Sequence, residues 1–245
     1  MNKKGFISLF MVLMVATSIP LRSNAQTFIS LWKGDQRMGL TVGGGHNFTP
    51  FDVSVSSGYS LDKEPTSAVI VPCIGLYYGM ERNLDGGWSF GYETLISLSK
   101  PSTDVSVKKN AGKVFEYTLS ALNIKAAEQV YLALALSGDF QLNLGGGLGI
   151  TAFFKGDANS ETSGAPSCGF NRGFGFGLGA VISGGVTYYL SKVFFVKGTF
   201  EFTTKPFLST YDMSVDFGSG NNNDITASFN SGTNIALLAT IGFKW

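Results

Sequence analysis

From Asn234 to Trp245 the sequence alternates: Ile235, Leu237, Ala239, Ile241, Phe243 and Trp245 share one parity, and Asn234, Ala236, Leu238, Thr240, Gly242 and Lys244 share the other. A period of two places the first set on one face of a β-strand and the second on the opposite face. One face is wholly apolar; the other is small or polar apart from Leu238. Strands of soluble proteins run to about six residues, whereas one of roughly ten or more, apolar along one side, crosses a bilayer at a tilt.

The same pattern returns upstream. Residues 140–155 set Leu142, Leu144, Leu148 and Ile150 against Gln141, Asn143, Gly145 and Thr151. Residues 174–190 set Phe176, Leu178, Ile182 and Val186 against Gly175, Gly177, Ser183 and Thr187, and residues 193–205 set Val196, Phe200 and Phe202 against Lys197, Glu201 and Thr203. Residues 88–99 repeat it, and 70–78, 38–46 and 115–136 complete a set of eight. The last of these loses its parity near 125–129, which predicts a β-bulge there. Short connectors at 82–87, 137–139 and 191–192 alternate with long polar ones at 47–67, 101–113, 156–172 and 211–228. Short periplasmic turns, long outer loops and an even strand number describe an all-β, closed, antiparallel up-and-down transmembrane β-barrel of about eight strands, with both ends in the periplasm. Ten strands also fit, if 51–58 pairs within the first long loop.

Composition agrees. Glycine numbers 32 of 245 residues, aromatics make up 13% and charged residues only 14%. An apolar outer wall, aromatic girdles and a crowded interior call for that mixture. Beyond the N-terminal segment no run approaches 18 apolar residues, so helical spans are not expected.

The chain opens with Lys3 and Lys4, an apolar run over 5–16 and Ser23-Asn24-Ala25, the pattern of a secretory signal peptide. Cleavage after Ala25 is expected, leaving a single barrel domain over 26–245. Its loss removes Lys3, Lys4 and Arg22, taking 18 bases against 17 acids to 15 against 17, about −2, a balance that points to no nucleic-acid partner.

Tyr78, Trp88, Phe140, Tyr188, Phe194, Phe243 and Trp245 fall beside the short turns and are expected to form the periplasmic aromatic girdle. Phe154, Phe174, Phe202 and Phe207 fall on the loop side as a second girdle. Parity turns Glu93, Glu116, Lys155, Lys197, Glu201, Lys205 and Lys244 inward. Side chains fill an eight-stranded barrel, so these charges are expected to pair as a polar plug of the lumen. A narrow, gated channel is the alternative.

With Asn24-Ala25-Gln26 ending the signal, the glycine-rich alternating strands and the terminal Gly242-Phe243-Lys244-Trp245, the chain resembles the small OmpA/OmpX-like outer-membrane β-barrel proteins of the Bacteroidetes type. The resemblance covers the mature chain and rests on pattern. It implies residence in the bacterial outer membrane, with the lipid bilayer and the barrel-insertion machinery as partners. In that family a terminal aromatic is the insertion signal, which maps here to Phe243 and Trp245. Many members have no assigned activity.

Other motifs carry less chemistry. Gly175-Phe176-Gly177-Leu178-Gly179-Ala180 matches a dinucleotide-binding spacing, and Gly145-Gly146-Gly147-Leu148-Gly149 approaches it. Both lie inside period-two runs with no helix to receive a phosphate, so interior packing is the expectation. His46, the single histidine, lies near Asp52, Ser54 and Ser56; a rim histidine is expected rather than a lipid- or peptide-cleaving site. Cys73 and Cys168 fall on the same side of the membrane and are left either paired or free. No metal or cofactor spacing is present. Loop stretches 157–164 and 221–224 are solvated connectors or a binding surface. The expectation is a monomeric barrel with a structural or surface-interaction role, not an enzyme, with an accessory subunit of an envelope complex as a further alternative.

Overall fold

A computed structural model describes residues 34–47, 51–55, 59–67, 70–109, 112–160, 162, 165, 168–170, 174–211, 214–217, 225–229 and 233–245. Eight strands form a closed ring: β1 (Asp35–Asn47), β2 (Val71–Asn83), β3 (Trp88–Ser99), β4 (Lys113–Ala135), β5 (Phe140–Ser160), β6 (Phe174–Tyr189), β7 (Phe194–Thr203) and β8 (Asn234–Lys244). Each pairs antiparallel with its neighbours in sequence, and β8 closes onto β1 from Arg37↔Lys244 to Asn47↔Asn234. Closure leaves no ring edge unpaired, so the backbone donors and acceptors are satisfied without water.

Parity sorts the two faces as the sequence implies. On β8, Ala236, Leu238 and Thr240 are buried, while Leu237 and Ile241 are 66% and 64% exposed. Leu40, Leu76, Leu144 and Ile182 continue the exposed apolar wall around the ring. A wall of that extent is compatible with lipid, not water.

The turns are short for local reasons. Between β2 and β3 the 3₁₀ turn Asp85–Gly87 carries Gly86 at φ 73° and Gly87 at φ 80°, where a side chain would be strained. Between β6 and β7 the Ser191 hydroxyl accepts from the Phe194 amide at 3.0 Å.

Several boundaries differ from expectation. Ser102–Lys109 is a strand rather than a loop: it pairs with the outer part of β4 and, with the short strands Tyr59–Leu61 and Thr66–Ser67, extends the sheet above the ring. Phe51–Val55 pairs not within the ring but with Ile225–Phe229, in a separate sheet with Ser214–Phe217 and Cys168–Phe170. The ring therefore has eight strands and not ten. No bulge interrupts β4 at 125–129. The irregularity lies where Ser120↔Asp157 gives way to Leu122↔Phe154, so that Lys155 and Gly156 of β5 oppose the single Ala121. Pro72 sits on the outer face just past the last β2–β3 pair, Cys73↔Ser99, and opposite Gly44 near the end of the β1–β2 ladder, which stops at Gly45↔Val71.

Candidate functional site: the filled lumen

Side chains from all eight strands occupy the lumen in stacked layers. Nearest the turns, the Arg37 guanidinium lies 2.6 Å from Glu81 Oε1, both side chains almost wholly buried. Glu81 also accepts from Gln141 Nε2 at 2.9 Å and from the Tyr131 hydroxyl at 3.0 Å. Arg37 bonds the Tyr189 hydroxyl and stacks 5.3 Å from that ring, and the Tyr189 hydroxyl lies 2.9 Å from Gln141 Oε1. Below this layer, Lys244 Nζ reaches Asp35 at 3.2 Å.

Above it, Lys197 pairs with Glu93, which also accepts from the Tyr77 hydroxyl at 3.3 Å. The Lys197 ammonium lies 5.0 Å from the Tyr77 ring centroid and 5.3 Å from that of Tyr131. A third pair, Lys125 with Glu201, spans the upper lumen, and Lys125 also bonds Thr203. Tyr77, Leu95, Ala127, Val181, Phe195, Ala236 and Leu238 form an apolar cluster among these layers. In a low-dielectric interior each buried charge needs its partner, and each of these has one.

Inner-face glycines make room for the rings. A Cβ on Gly91 would stand 2.1 Å from Tyr131 Cζ, and one on Gly242 would stand 2.6 Å from Phe195 Cζ. The glycines of the dinucleotide-like motifs lie within β5 and β6, which pair with each other and with a second neighbour on their far sides. That leaves no strand-to-helix turn for a phosphate.

The filled section is bounded by two cavities. One of about 40 Å³ lies on the outer side, lined by Cys73, Ser97, Asn123, Lys125 and Glu201 among others. The other, about 370 Å³, opens at the turn end of the barrel between Glu81, Gln141, Tyr189, Lys244 and the three turns.

Of the inward charges expected from parity, Glu93, Lys197 and Glu201 meet partners in the lumen, and Lys244 does so at its lower rim. Glu116 does not: β4 keeps one parity throughout, and Glu116 is exposed beside the buried Phe115 and Tyr117. Lys205 is also exposed, because regular β7 pairing ends at Thr203, just before Pro206. Lys155 lies in the bulge, and its side chain is outside the described residues.

Arg37, Glu81 and Lys125 were not anticipated. Each was legible from parity: Arg37 follows Gly39 and Thr41, Glu81 follows Tyr77 and Gly79, and Lys125 follows Ala127 and Gln129.

Trp88, Phe140, Tyr188, Phe194, Phe243 and Trp245 lie at the turn ends, with the tilted ring pairs Phe140–Tyr188 and Phe243–Trp245 at centroid distances of 5.5 and 5.4 Å. Tyr78 stands higher on the wall, opposite Met38 and Thr94, because β2 runs on to Asn83. On the loop side Phe174 pairs with Phe154, and Phe207 is exposed.

His46 occupies the outer end of β1 opposite Ile235. The side chains of Asp52 and Ser54, and Ser56 altogether, lie outside the described residues. Cys73 is a free thiol. Among the described residues no cluster has the makings of a metal site, and no helix is long and apolar enough to cross a membrane.

A closed eight-stranded meander with an apolar outer wall and a polar, side-chain-filled interior defines the class: the fold is that of a bacterial outer-membrane β-barrel. Comparison with solved structures agrees. The chain is similar to the outer membrane protein OprG of Pseudomonas aeruginosa, at 16% identity and a TM-score of 0.50, covering 86% of this chain and 96% of that one. It also matches Ail, the attachment invasion locus protein of Yersinia pestis, at 9% identity and a TM-score of 0.39 over 86% and 99% of the two chains. Neisserial surface protein A matches at 11% identity and a TM-score of 0.35 over 87% and 98%. No protein-family model and no curated protein sequence matches the chain.

Proposed function

We propose that this protein is a structural or surface-presenting barrel of the outer membrane whose lumen is sealed, and that it is not an enzyme. The observation that carries the reading is the stack of three buried ion pairs, Arg37–Glu81, Lys197–Glu93 and Lys125–Glu201, bridged by tyrosines and apolar side chains. Charges held in mutual pairs leave no continuous water path for a solute. The sheet that β4 and Ser102–Lys109 raise above the ring supports a surface role, since it lifts the loops clear of the membrane. Export by the signal peptide over 1–25 and insertion through the signal at Phe243 and Trp245 belong to the same proposal, as does the OmpA/OmpX-like kinship of the Bacteroidetes type.

Liposome swelling tests it. Proteoliposomes of the full mature chain should swell in small sugars no faster than protein-free vesicles; swelling graded by solute size would instead establish a pore. One observation favours a narrow gated channel as the second reading: the cavities at both ends shorten the seal to the layers between them.

A further inference from the structure

Because β4 keeps its parity through 125–129, Glu128 points outward, onto the lipid-facing wall. It stands six residues from Leu134, which pairs with Trp88 of the lower girdle, and six from Leu122, which pairs with Phe154 of the upper one. At about 3.3 Å per residue and a tilt near 40°, that is roughly 15 Å from either, the middle of the hydrocarbon layer. The outer faces of β5 to β8 carry no charged side chain over the corresponding span. A lone carboxyl facing acyl chains is unfavourable at that depth, and lipid tails offer it no donor.

The surroundings of Glu128 are polar and organised. The Thr94 hydroxyl of β3 donates to Glu128 Oε2 at 2.8 Å, and the Tyr92 hydroxyl lies 3.1 Å from Thr94 Oγ1. This one patch therefore holds an acceptor and phenolic and hydroxyl donors side by side. In a twofold contact residue i meets j while j meets i, so such a patch is its own complement: Glu128 of one copy can take a hydrogen bond from Tyr92 of the other, and the reverse. Small neighbours at Ala126 and Gly146 allow two walls to approach closely, and Val130, 52% exposed, supplies apolar contact beside them.

We propose that the outer face of β3 and β4 around Glu128 is an intramembrane dimer surface, occupied by a second copy of this chain. This departs from the monomer expected of the sequence, and it stands whether or not the lumen conducts.

Disulfide trapping in native outer membranes tests it, in a chain carrying Cys73→Ser and Cys168→Ser. With Val130→Cys an oxidant should link two copies, while Leu237→Cys, on the wall of β8, should link none. Adding Glu128→Leu to Val130→Cys should lower the linked fraction at least fivefold, and Glu128→Gln, which keeps an acceptor, should restore most of it. Heat-modifiable migration confirms that each variant is a folded barrel. No linked pair at Val130→Cys, equal linkage at both positions, linkage to a different protein, or a yield indifferent to Glu128→Leu would each overturn the proposal.

Discussion

Arg37 and Glu81 approach to 2.6 Å across the β1–β2 pair at the base of the lumen, each side chain almost wholly buried, and Glu81 there also takes hydrogen bonds from Gln141 and Tyr131. Four strands thus meet at one carboxylate. Removing one charge strands the other in a low-dielectric site, which costs about 3–5 kcal/mol, while replacing both by apolar groups of similar volume is close to neutral. Arg37→Ala and Glu81→Ala should each lower barrel stability by that amount, and Arg37→Met with Glu81→Leu should recover much of it. Urea unfolding in detergent or lipid, followed by tryptophan fluorescence, measures all three.

The same logic reaches the glycines. Gly91→Ala drives a methyl into the Tyr131 ring and pushes its hydroxyl off Glu81, an overpacking cost of about 1–3 kcal/mol. Gly198→Ala, where nothing lies within 4 Å, should be neutral or slightly stabilising. Equal destabilisation at both sites would mean that the lumen does not select for glycine.

The Lys197–Glu93 layer and the Arg37–Glu81 layer stand in series between the two cavities. Truncating Lys197 and Glu93 together, Lys197→Ala with Glu93→Ala, avoids leaving a buried lone charge but opens only the upper of the two, because Arg37, Glu81 and Tyr189 still close the layer below. This double variant should therefore stay closed in planar bilayers, whereas adding Arg37→Ala and Glu81→Ala to it should let small ions pass.

Phe243 and Trp245, in tilted ring contact at 5.4 Å on the outer face of the closing strand, are the expected insertion signal. Phe243→Ala with Trp245→Ala should slow assembly more than it lowers the stability of assembled barrels. Pulse-chase conversion to the heat-modifiable form separates the two effects.

The wall was legible in the sequence because one medium, lipid, selects apolar residues at every second position from Leu40 to Val42, Leu142 to Ile150 and Leu237 to Phe243. Where the medium changes, the rule fails. β1 and β2 continue past their last lipid-facing residues into water, so apolar alternation stops before the hydrogen-bond ladder does, and Arg37 and Glu81 fell outside the expected strands. Ser102–Lys109 reads as loop because its polar residues carry no lipid-facing signal; it is a strand through pairing with β4. The polar residues at 125–129 break the apolar alternation but not the parity: Lys125 and Gln129 face in, Glu128 faces out, and the bulge sits where Lys155 and Gly156 double up against Ala121.

Single-channel recording of the full mature chain in planar bilayers tests the central claim most directly. A lumen closed by Arg37–Glu81, Lys197–Glu93 and Lys125–Glu201 should give a flat baseline at voltages up to those that rupture the membrane. Stable, long-lived open steps from the unaltered chain would contradict it.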